Sequence, residues 1–274
     1  MIKQIIKEKR PYTTPGEDGL PFGVLSSLPS VHHFLATLYN KIDTQGSAPS
    51  SWAGCNITLK TGSLGDPSNF RPIALASVLG KVFHQVKAGQ LTDFMLKNNY
   101  IDPSIQKAFL KNINGCVEHI QVIQEIIQDA KASKKTVHMT FADLWVFGLV
   151  NHQLIQHCLE HFNVPEKERK YIRSLYSQLH GKVVTKEWIS EVFKFQKGIA
   201  QGDNYSAIIF LVLFQPLITY LESLKEHLGY QLGDRKVITK LMTETITNHK
   251  GKHQKMMMDP HVNKRQFEGQ CSGS

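Results

Sequence analysis

The clearest pattern along the chain is a set of segments in which apolar residues recur every three or four positions. In the segment 116–133, Val117, Ile120, Ile123 and Ile126 fall on one side of a helix. Lysines follow at its C-terminal end, where the helix dipole favours positive charge. The same spacing predicts helices over 31–42, 151–162 and 165–180, a mostly helical segment over 73–91, and a long apolar helix over 206–228.

Strand patterns in the sequence are shorter. Residues 136–142 alternate between apolar and polar, with Val137, Met139 and Phe141 on one side, which predicts a strand that ends at Asp143. Because strands and helices do not alternate in a regular βαβ cycle, we predict an α+β fold. Further short strands are predicted at 56–60, 182–186 and 192–195, the last two as a hairpin, and the prolines and glycines of 11–30 and 61–72 predict loops.

Composition and charge narrow the function classes. Hydrophobic residues make up 41% of the 274 positions, which is enough to form a globular core. Lys and Arg number 32 and Asp and Glu number 23, so the formal net charge is 32 − 23 = +9. A positive excess favours a polyanionic partner, and nucleic acid is the most common one. A basic protein without such a partner also fits the composition.

The cysteines and the apolar runs bear on the location of the protein. The four cysteines, at positions 55, 116, 158 and 271, form no CxxC pair, which favours a reduced protein over a disulfide-stabilised secreted one. The N-terminus lacks the apolar core of a secretory signal. The longest apolar run, 207–221, is short for a membrane span and contains Gln215 and Pro216. We therefore expect an intracellular protein of the cytoplasm or nucleus, with no membrane partner.

Three polar features are candidates for chemistry. Asp143, at the end of a predicted strand, is suited to hold a divalent cation or to cap the next turn. The turn KGIAQGD at 197–203 precedes an apolar helix, and the backbone N–H groups at a helix start attract phosphate. Arg71 follows a glycine-rich loop, and its guanidinium is suited to a bidentate phosphate contact. Each feature taken alone also fits a structural role.

The order of several short blocks is more informative than any one of them. The blocks are PGEDGLP at 15–21, SNFRPIAL at 68–75, LGKVF at 79–83, FADL at 141–144 and KGIAQGD at 197–203. In this order they resemble successive blocks of reverse transcriptases from non-LTR (LINE-type) retrotransposons. GCVEH at 115–119, and Phe147, Gly148, Val150 and His152, are more similar to the branch that inserts into ribosomal RNA genes. The resemblance covers residues 12–247.

The resemblance implies a fold and a set of partners. The fold would be a right-hand polymerase with fingers over about 12–135 and a partial palm over about 136–247, the thumb being absent. Residues 248–274, rich in Lys, His, Gln, Met, Ser and Gly, are expected to form a disordered basic tail. Because the family consists of RNA-directed DNA polymerases, the resemblance also implies an RNA template, a DNA primer and Mg²⁺ as the cofactor.

Five positions resemble residues that bind the nucleotide in this family. Lys60 and Arg71 resemble the residues of the fingers that clasp the triphosphate. Phe147 resembles the residue that packs under the incoming sugar and excludes a 2′-hydroxyl. Gln201 and Gly202 resemble the turn that lines the nucleotide and template pocket.

The metal site departs from the family pattern. Asp143 matches the first metal-binding aspartate, which in the family acts with a Phe/Tyr-x-Asp-Asp turn to hold two Mg²⁺ ions about 4 Å apart. The sequence contains no Asp-Asp dipeptide, and Glu244 is the one acid in residues 240–247. Phe147 also follows Asp143 by four positions where the family has five, and a one-residue loss re-aims the side chains that follow.

A lone carboxylate does not supply the fixed ligand geometry that a two-metal centre needs, so we predict that the chain has no polymerase activity. In two alternative interpretations the chain belongs to the same family but does not catalyse its reaction. In the first, the domain is a non-catalytic remnant that holds RNA in a basic cleft. In the second, the chain is a non-functional relic of a degenerate element.

Overall fold

The structure is a computed structural model that describes residues 1–28, 30–60, 71–107, 109–110, 115–140, 148–185 and 187–238. Contacts between Cα atoms divide the chain into two compact units. Unit 1 comprises Met1–Asp102 and His138–His227, and unit 2 comprises Pro103–Val137 and Leu228–Ser274.

Helices and strands both contribute to the fold, which is α+β as the sequence predicts. The helices are α1 (Ile2–Lys7), α2 (Phe22–Ser27), α3 (Val31–Gln45), α4 (Val78–Lys97), α5 (Gly115–Ala132), α6 (His152–His161), α7 (Glu166–Gln178), α8 (Asn204–Ser223) and α9 (Lys225–Leu228), with a 3₁₀ turn at Ser50–Trp52. The strands are β1 (Gly54–Lys60), β2 (Arg71–Ala76), β3 (His180–Val183), β4 (Phe193–Lys194), β5 (Tyr230–Leu232) and β6 (Arg235–Val237).

The main sheet of unit 1 has the strand order β2-β1-β3-β4. β1 runs antiparallel to β2 and parallel to β3, and β3 pairs antiparallel with β4. Because the parallel register places Gly54 opposite His180, segments far apart in sequence lie side by side. The buried cluster at this sheet consists of Cys55, Ile57, Ala74, Ala76 and Ala200. Ala200 belongs to the turn 197–203, so this turn packs into the core.

The thiol of Cys55 is enclosed by this core. Its side chain lies in β1, is buried, and donates a hydrogen bond to the carbonyl oxygen of His180 at 3.4 Å. Burial, reinforced by the Glu17 carboxylate and opposed by the Lys81 ammonium, raises the pKa of Cys55 to about 12. Burial also raises the pKa of Cys158 in α6. Both are free thiols.

An aromatic cluster fixes the helices beside the sheet. Phe83 of α4 lies 5.2 Å from Tyr39, 5.6 Å from Trp52 and 5.1 Å from Tyr171, measured between ring centroids. Tilted and edge-on contacts of this kind stabilise a core beyond the burial of area. The cluster therefore joins α3, α4 and α7 around the 3₁₀ turn that leads into β1.

Buried charges lie close to this cluster. Lys87 of α4 forms ion pairs with Asp43 of α3 and Glu168 of α7, and Glu168 also accepts a hydrogen bond from the hydroxyl of Tyr205 in α8. Burial lowers the pKa of Lys87, but the Glu168 and Asp43 carboxylates outweigh that effect, so its pKa is raised and the ammonium stays charged. Each buried charge in this group therefore has a partner, as burial requires.

Helix α8 is long and apolar enough to cross a membrane by length and composition alone. The long apolar helix predicted over 206–228 is confirmed in its main part by α8, which continues through Gln215 and Pro216. In unit 1 this helix packs against α4 and α6, and its first half is almost entirely buried. A central core helix needs the same apolar composition, so this one segment is weak support for a membrane span.

Several element predictions are confirmed and others are wrong. The helices predicted over 31–42, 116–133, 151–162 and 165–180 are present as α3, α5, α6 and α7, and the predicted hairpin is formed by β3 and β4. The helix predicted over 73–91 is wrong at its start, because β2 occupies Arg71–Ala76 and α4 begins at Val78, capped by Ser77. The predicted loop over 11–30 contains α2, which buries Phe22 and Leu25.

Some predicted elements lie partly or wholly outside the described residues. The predicted strand over 136–142 is described only for residues 136–140, which lie in no helix or strand, and residues 141–142 lie outside the description. The predicted disordered tail, 248–274, also lies outside the described residues. Of the predicted loop over 61–72, residues 61–70 lie outside them, and the last two are wrong because they belong to β2.

Unit 2 is built on helix α5 and the β5–β6 hairpin. The Tyr230 hydroxyl of β5 donates a hydrogen bond to Asp129 of α5 at 2.7 Å, and this bond raises the pKa of Tyr230 to about 12. At the start of α5, Glu118 forms an ion pair with Lys107, and His119 is buried with its Nε2 3.0 Å from the carbonyl oxygen of Ile105. These contacts connect the hairpin and the segment before α5 to that helix.

The first sequence block, 15–21, is held against the start of α4. The Asp18 carboxylate accepts a hydrogen bond from the backbone N–H of Val78 at 3.1 Å, and Glu17 forms an ion pair with Lys182 of β3 at 3.1 Å. The backbone of Gly16 approaches that of Ala76 so closely that a Cβ at this position would lie 2.5 Å from the Ala76 carbonyl carbon. Only a glycine permits this contact.

We expect Gly16→Ala to destabilise the domain by about 1–3 kcal/mol, because the added methyl group has to displace backbone atoms of β2. Urea unfolding followed by circular dichroism measures the change. The control is Gly89→Ala in α4, where a Cβ meets no atom within 4 Å and helix propensity favours alanine by up to about 1 kcal/mol. Equal stability of the two variants would contradict the assigned contact.

Candidate nucleotide and template site

The β1–β2 hairpin ends at two of the candidate residues. In the antiparallel register, Lys60 is the direct partner of Arg71, at the end of the ladder that begins with Cys55 and Ala76. Directly opposed positions in an antiparallel pair have Cα atoms about 4.5–5.5 Å apart. The sequence blocks that supply two proposed phosphate contacts are therefore adjacent through their backbones.

The turn 197–203 is held to the hairpin by a backbone hydrogen bond. The N–H of Ala74 in β2 donates to the carbonyl oxygen of Gln201 at 2.8 Å. On the other side of the turn, the N–H of Gly198 donates to the carbonyl oxygen of Val150 at 2.7 Å, and His152 Nε2 donates to the carbonyl oxygen of Gly198 at 2.8 Å. The turn is thus fixed both to β2 and to the segment just after the FADL block.

Gly202 occupies a backbone conformation that side chains disfavour. Its φ angle is +108°, and a Cβ there would lie 3.0 Å from the carbonyl oxygen of Ala74. Both facts follow from the close approach of the turn to β2. They explain why glycine stands beside Gln201 at the centre of the block.

A small cavity lies where these segments meet. It has a volume of about 150 Å³, and its lining is mostly apolar, with Lys197 and Gln201 as the long polar side chains. Ligand pockets usually enclose about 300–1,000 Å³, so this cavity does not enclose a whole nucleotide by itself. The lining residues are Ile57, Ala74, Gly148, Phe195, Lys197, Gly198, Ile199, Ala200 and Gln201.

The structure describes four of the six site residues predicted from the sequence, and the other two lie outside the described residues. Gln201 and Gly202 lie in the turn against β2, and Lys60 and Arg71 are placed through their backbone pairing. Asp143 and Phe147 lie outside the described residues. Gly148, the residue after Phe147, lines the cavity together with Gln201.

The described residues do not form a metal centre. Within them, no group of three or more His, Cys, Asp or Glu side chains is arranged to hold a metal ion. Asp143, the predicted metal ligand, lies outside the described residues, and the full sequence contains no Asp-Asp dipeptide. The described residues by themselves therefore do not fit a two-metal Mg²⁺ centre.

A buried polar cluster that the sequence does not predict lies at the end of the turn, where α8 begins. Asp203 caps the start of α8, and its Oδ2 lies 2.6 Å from Nδ1 of His84, a residue of α4. His84 Nε2 lies 2.8 Å from the hydroxyl of Tyr171 in α7. Burial lowers the pKa of Lys81 nearby, although the carboxylates of Asp203 and Asp18 oppose this effect. The one sequence signal was that Asp203 belongs to the KGIAQGD block.

We expect Gly202→Ala to destabilise the domain by about 1–3 kcal/mol, because alanine is strained at φ +108° and crowds Ala74. Thermal unfolding measures the loss. Gly148→Ala is the matched control, since a Cβ there meets no atom within 4 Å although the residue lines the same cavity. Equal losses in both variants would argue against the assigned turn geometry.

Comparison with known proteins identifies relatives of this chain. The family model described as "Reverse transcriptase (RNA-dependent DNA polymerase)" matches residues 58–258. The chain is 25% identical over 239 residues to the retrovirus-related Pol polyprotein from the type-1 retrotransposable element R2 of Nasonia vitripennis. The aligned residues make up 86% of this chain and 22% of that protein.

Two further relatives carry similar names. The corresponding R2 polyprotein of Popillia japonica is 25% identical over 86% of this chain and 32% of its own length. The polyprotein from the type-2 element R2DM of Drosophila melanogaster is 25% identical over 81% of this chain and 20% of its own length. The chain thus spans about a fifth to a third of the length of these relatives. It belongs to the reverse transcriptase family, and its predicted kinship with non-LTR retrotransposons is confirmed.

Proposed function

We propose that this chain is a reverse transcriptase domain that holds an RNA template and a DNA primer without adding nucleotides itself. One combined observation carries the proposal. The turn 197–203 is bonded to β2, so two blocks that resemble nucleotide and template residues of the family are adjacent, whereas the sequence contains no Asp-Asp dipeptide. Template and primer as partners, and the loss of catalysis, are both part of this proposal.

Within this proposed function, residues 12–135 form the fingers and residues 136–247 form a partial palm. Strands β1 and β2 come from the first range, and β3 and β4 from the second. These four strands form one sheet, so the proposed division separates blocks of sequence that share a core. The nucleotide and template would approach at the edge where the β1–β2 hairpin and the turn come together.

The charge of the chain supports contacts to a nucleic-acid backbone. The formal net charge is +9, and Lys60 and Arg71 are paired at the end of the hairpin. Arg and Lys bound to phosphates release counterions, which makes such binding strong at low salt and weak at high salt. Backbone contacts of this kind need no particular base sequence.

The metal requirement supports the loss of catalysis. Two-metal phosphoryl transfer needs several carboxylates that hold both ions across the attacking and leaving oxygens. Asp143 would supply one carboxylate, and the rest of the sequence offers no Asp-Asp pair. We therefore assign no step of nucleotide addition to this chain.

We also propose an intracellular location, in the cytoplasm or nucleus. The buried thiols of Cys55 and Cys158 are free, as in proteins of reducing compartments. Nucleic-acid partners are consistent with the same location.

Primer extension tests the loss of catalysis. We expect the purified chain, given an RNA template, an annealed DNA primer, all four deoxynucleotides and Mg²⁺ or Mn²⁺, to yield no full-length cDNA. The reason is the missing acidic pair. A retroviral reverse transcriptase serves as the positive control. Full-length cDNA that disappears in Asp143→Ala would overturn this prediction.

Binding to a labelled RNA–DNA primer-template at several salt concentrations tests the nucleic-acid contacts. We expect the double variant Lys60→Gln/Arg71→Gln to bind more weakly and to lower the salt dependence of log Kd by about 1.5, from two lost phosphate contacts. The control is Lys3→Gln/Lys41→Gln, which removes the same charge from exposed positions on α1 and α3. Identical salt slopes in the two double variants would contradict the assignment.

Thermal unfolding distinguishes this proposed function from the alternative that the chain is a non-functional relic. Because unit 1 has a buried core, we expect it to unfold in a cooperative thermal transition. A chain without function or stable packing would unfold gradually and would bind nucleic acid weakly at every salt concentration.

A further inference from the structure

The pair His84 and Asp203 has a geometry that goes beyond ordinary core packing. Asp203 uses its two carboxylate oxygens for different partners: Oδ1 accepts the N–H of Tyr205 at the start of α8, and Oδ2 lies 2.6 Å from His84 Nδ1. The side chains are 7% and 2% exposed, respectively. A carboxylate hydrogen-bonded in so buried a place is held in one orientation.

The other side of the imidazole is fixed as well. Its Nε2 lies 2.8 Å from the Tyr171 hydroxyl, and its ring stacks on Tyr205 with centroids 5.6 Å apart and planes 28° apart. Both ring nitrogens of His84 therefore lie close to an oxygen atom, Nδ1 to that of Asp203 and Nε2 to that of Tyr171. The imidazole is held on both sides.

Asp203 directly follows Gln201 and Gly202. On the side of β2, the turn is anchored by the bond from Ala74 to the Gln201 carbonyl oxygen, and Gly202 has no side chain to anchor it. The next fixed point along the chain is therefore Asp203. Its partner His84 lies on α4, which continues from β2 through the capping residue Ser77.

We infer that His84 and Asp203 form a positioning pair that sets the turn 197–203 relative to the β1–β2 hairpin. The pair holds the turn where Gln201 and Gly202 would meet the nucleotide and template. Neither member contacts nucleic acid itself. The inference rests on the proposed function for its effect on binding, whereas the placement of the turn is measurable without any ligand.

Asp203→Asn tests the pair while keeping the helix cap. Asparagine caps helices as well as aspartate does, and its Oδ1 still accepts from Tyr205. The substitution removes the negative charge that lies 2.6 Å from His84 Nδ1. We expect the ¹⁵N NMR signals of the His84 side chain in the histidine-labelled full chain to shift, because the ring loses its anionic neighbour.

Tyr171→Phe is the matched control, because it removes the other bond of His84 and leaves the Asp203 contact in place. We expect Asp203→Asn to raise the Kd for the primer-template about tenfold and to speed amide exchange at residues 198–203. Tyr171→Phe is expected to change Kd by less than about twofold at a comparable loss of stability. Equal effects of both variants, in proportion to lost stability, would reduce the pair to a structural contact and overturn the inference.

A second comparison decides the matter if Asp203→Asn does not fold. In His84→Asn the side-chain amide keeps an N–H donor near the place of Nδ1, whereas His84→Leu has similar bulk to histidine and no donor. We expect slow amide exchange at 198–203 in His84→Asn and fast exchange in His84→Leu. Equal exchange in these two variants would overturn the inference.

The two proposals fail in different ways. If the wild-type chain shows no salt-dependent binding to the primer-template, the proposed function fails, and the exchange rates still report whether the pair positions the turn. If the wild-type chain binds but exchange at 198–203 is the same in every variant, the positioning inference fails and the proposed function stands.

Discussion

The backbone hydrogen bond from Ala74 to the carbonyl oxygen of Gln201 joins the two parts of the chain on which the site depends. It brings the turn 197–203 against β2, and this close approach, together with a φ angle of +108°, favours glycine at position 202. The same approach places Ala200 in the buried cluster of the sheet. A shift of the turn would therefore disturb the core, so the packing of the sheet and the shape of the site are a single constraint.

The buried charges around α4 extend this constraint into the helices. Lys87, Glu168 and Asp43 come from three different helices, and Tyr205 adds a hydrogen bond from the start of α8. A buried ion pair adds little net stability compared with apolar packing, but removing one partner leaves a charge without compensation. Such a network therefore disfavours alternative packings of α3, α4 and α7 more than it strengthens the observed one.

The sequence predicts the helices well where one apolar stripe faces one partner surface. The spacing of Ile120, Ile123 and Ile126 can be recognised within one short segment, and α5 forms there as predicted. β2 was missed because its residues carry no alternating pattern, and its state is decided by pairing with β1. α2 was missed because the prolines and glycines around it dominate the local pattern, although Phe22 and Leu25 are buried.

The candidate site follows the same rule. Gln201 and Gly202 could be found because they belong to a contiguous block, whereas His84 and Tyr171 contribute through contacts between distant helices. Local spacing contains no information on such contacts. The placement of Asp143 and Phe147 stays a prediction of the family resemblance.

The enclosure of Cys55 has a chemical consequence for the sheet. With a pKa of about 12, almost none of this thiol is thiolate at neutral pH, and the thiolate is the form that alkylating agents and peroxide attack. Oxidants that modify exposed cysteines would leave β1 unchanged. Cys55 lies in the strand of the hairpin that also pairs with β3, and its own packing thereby protects it from oxidation.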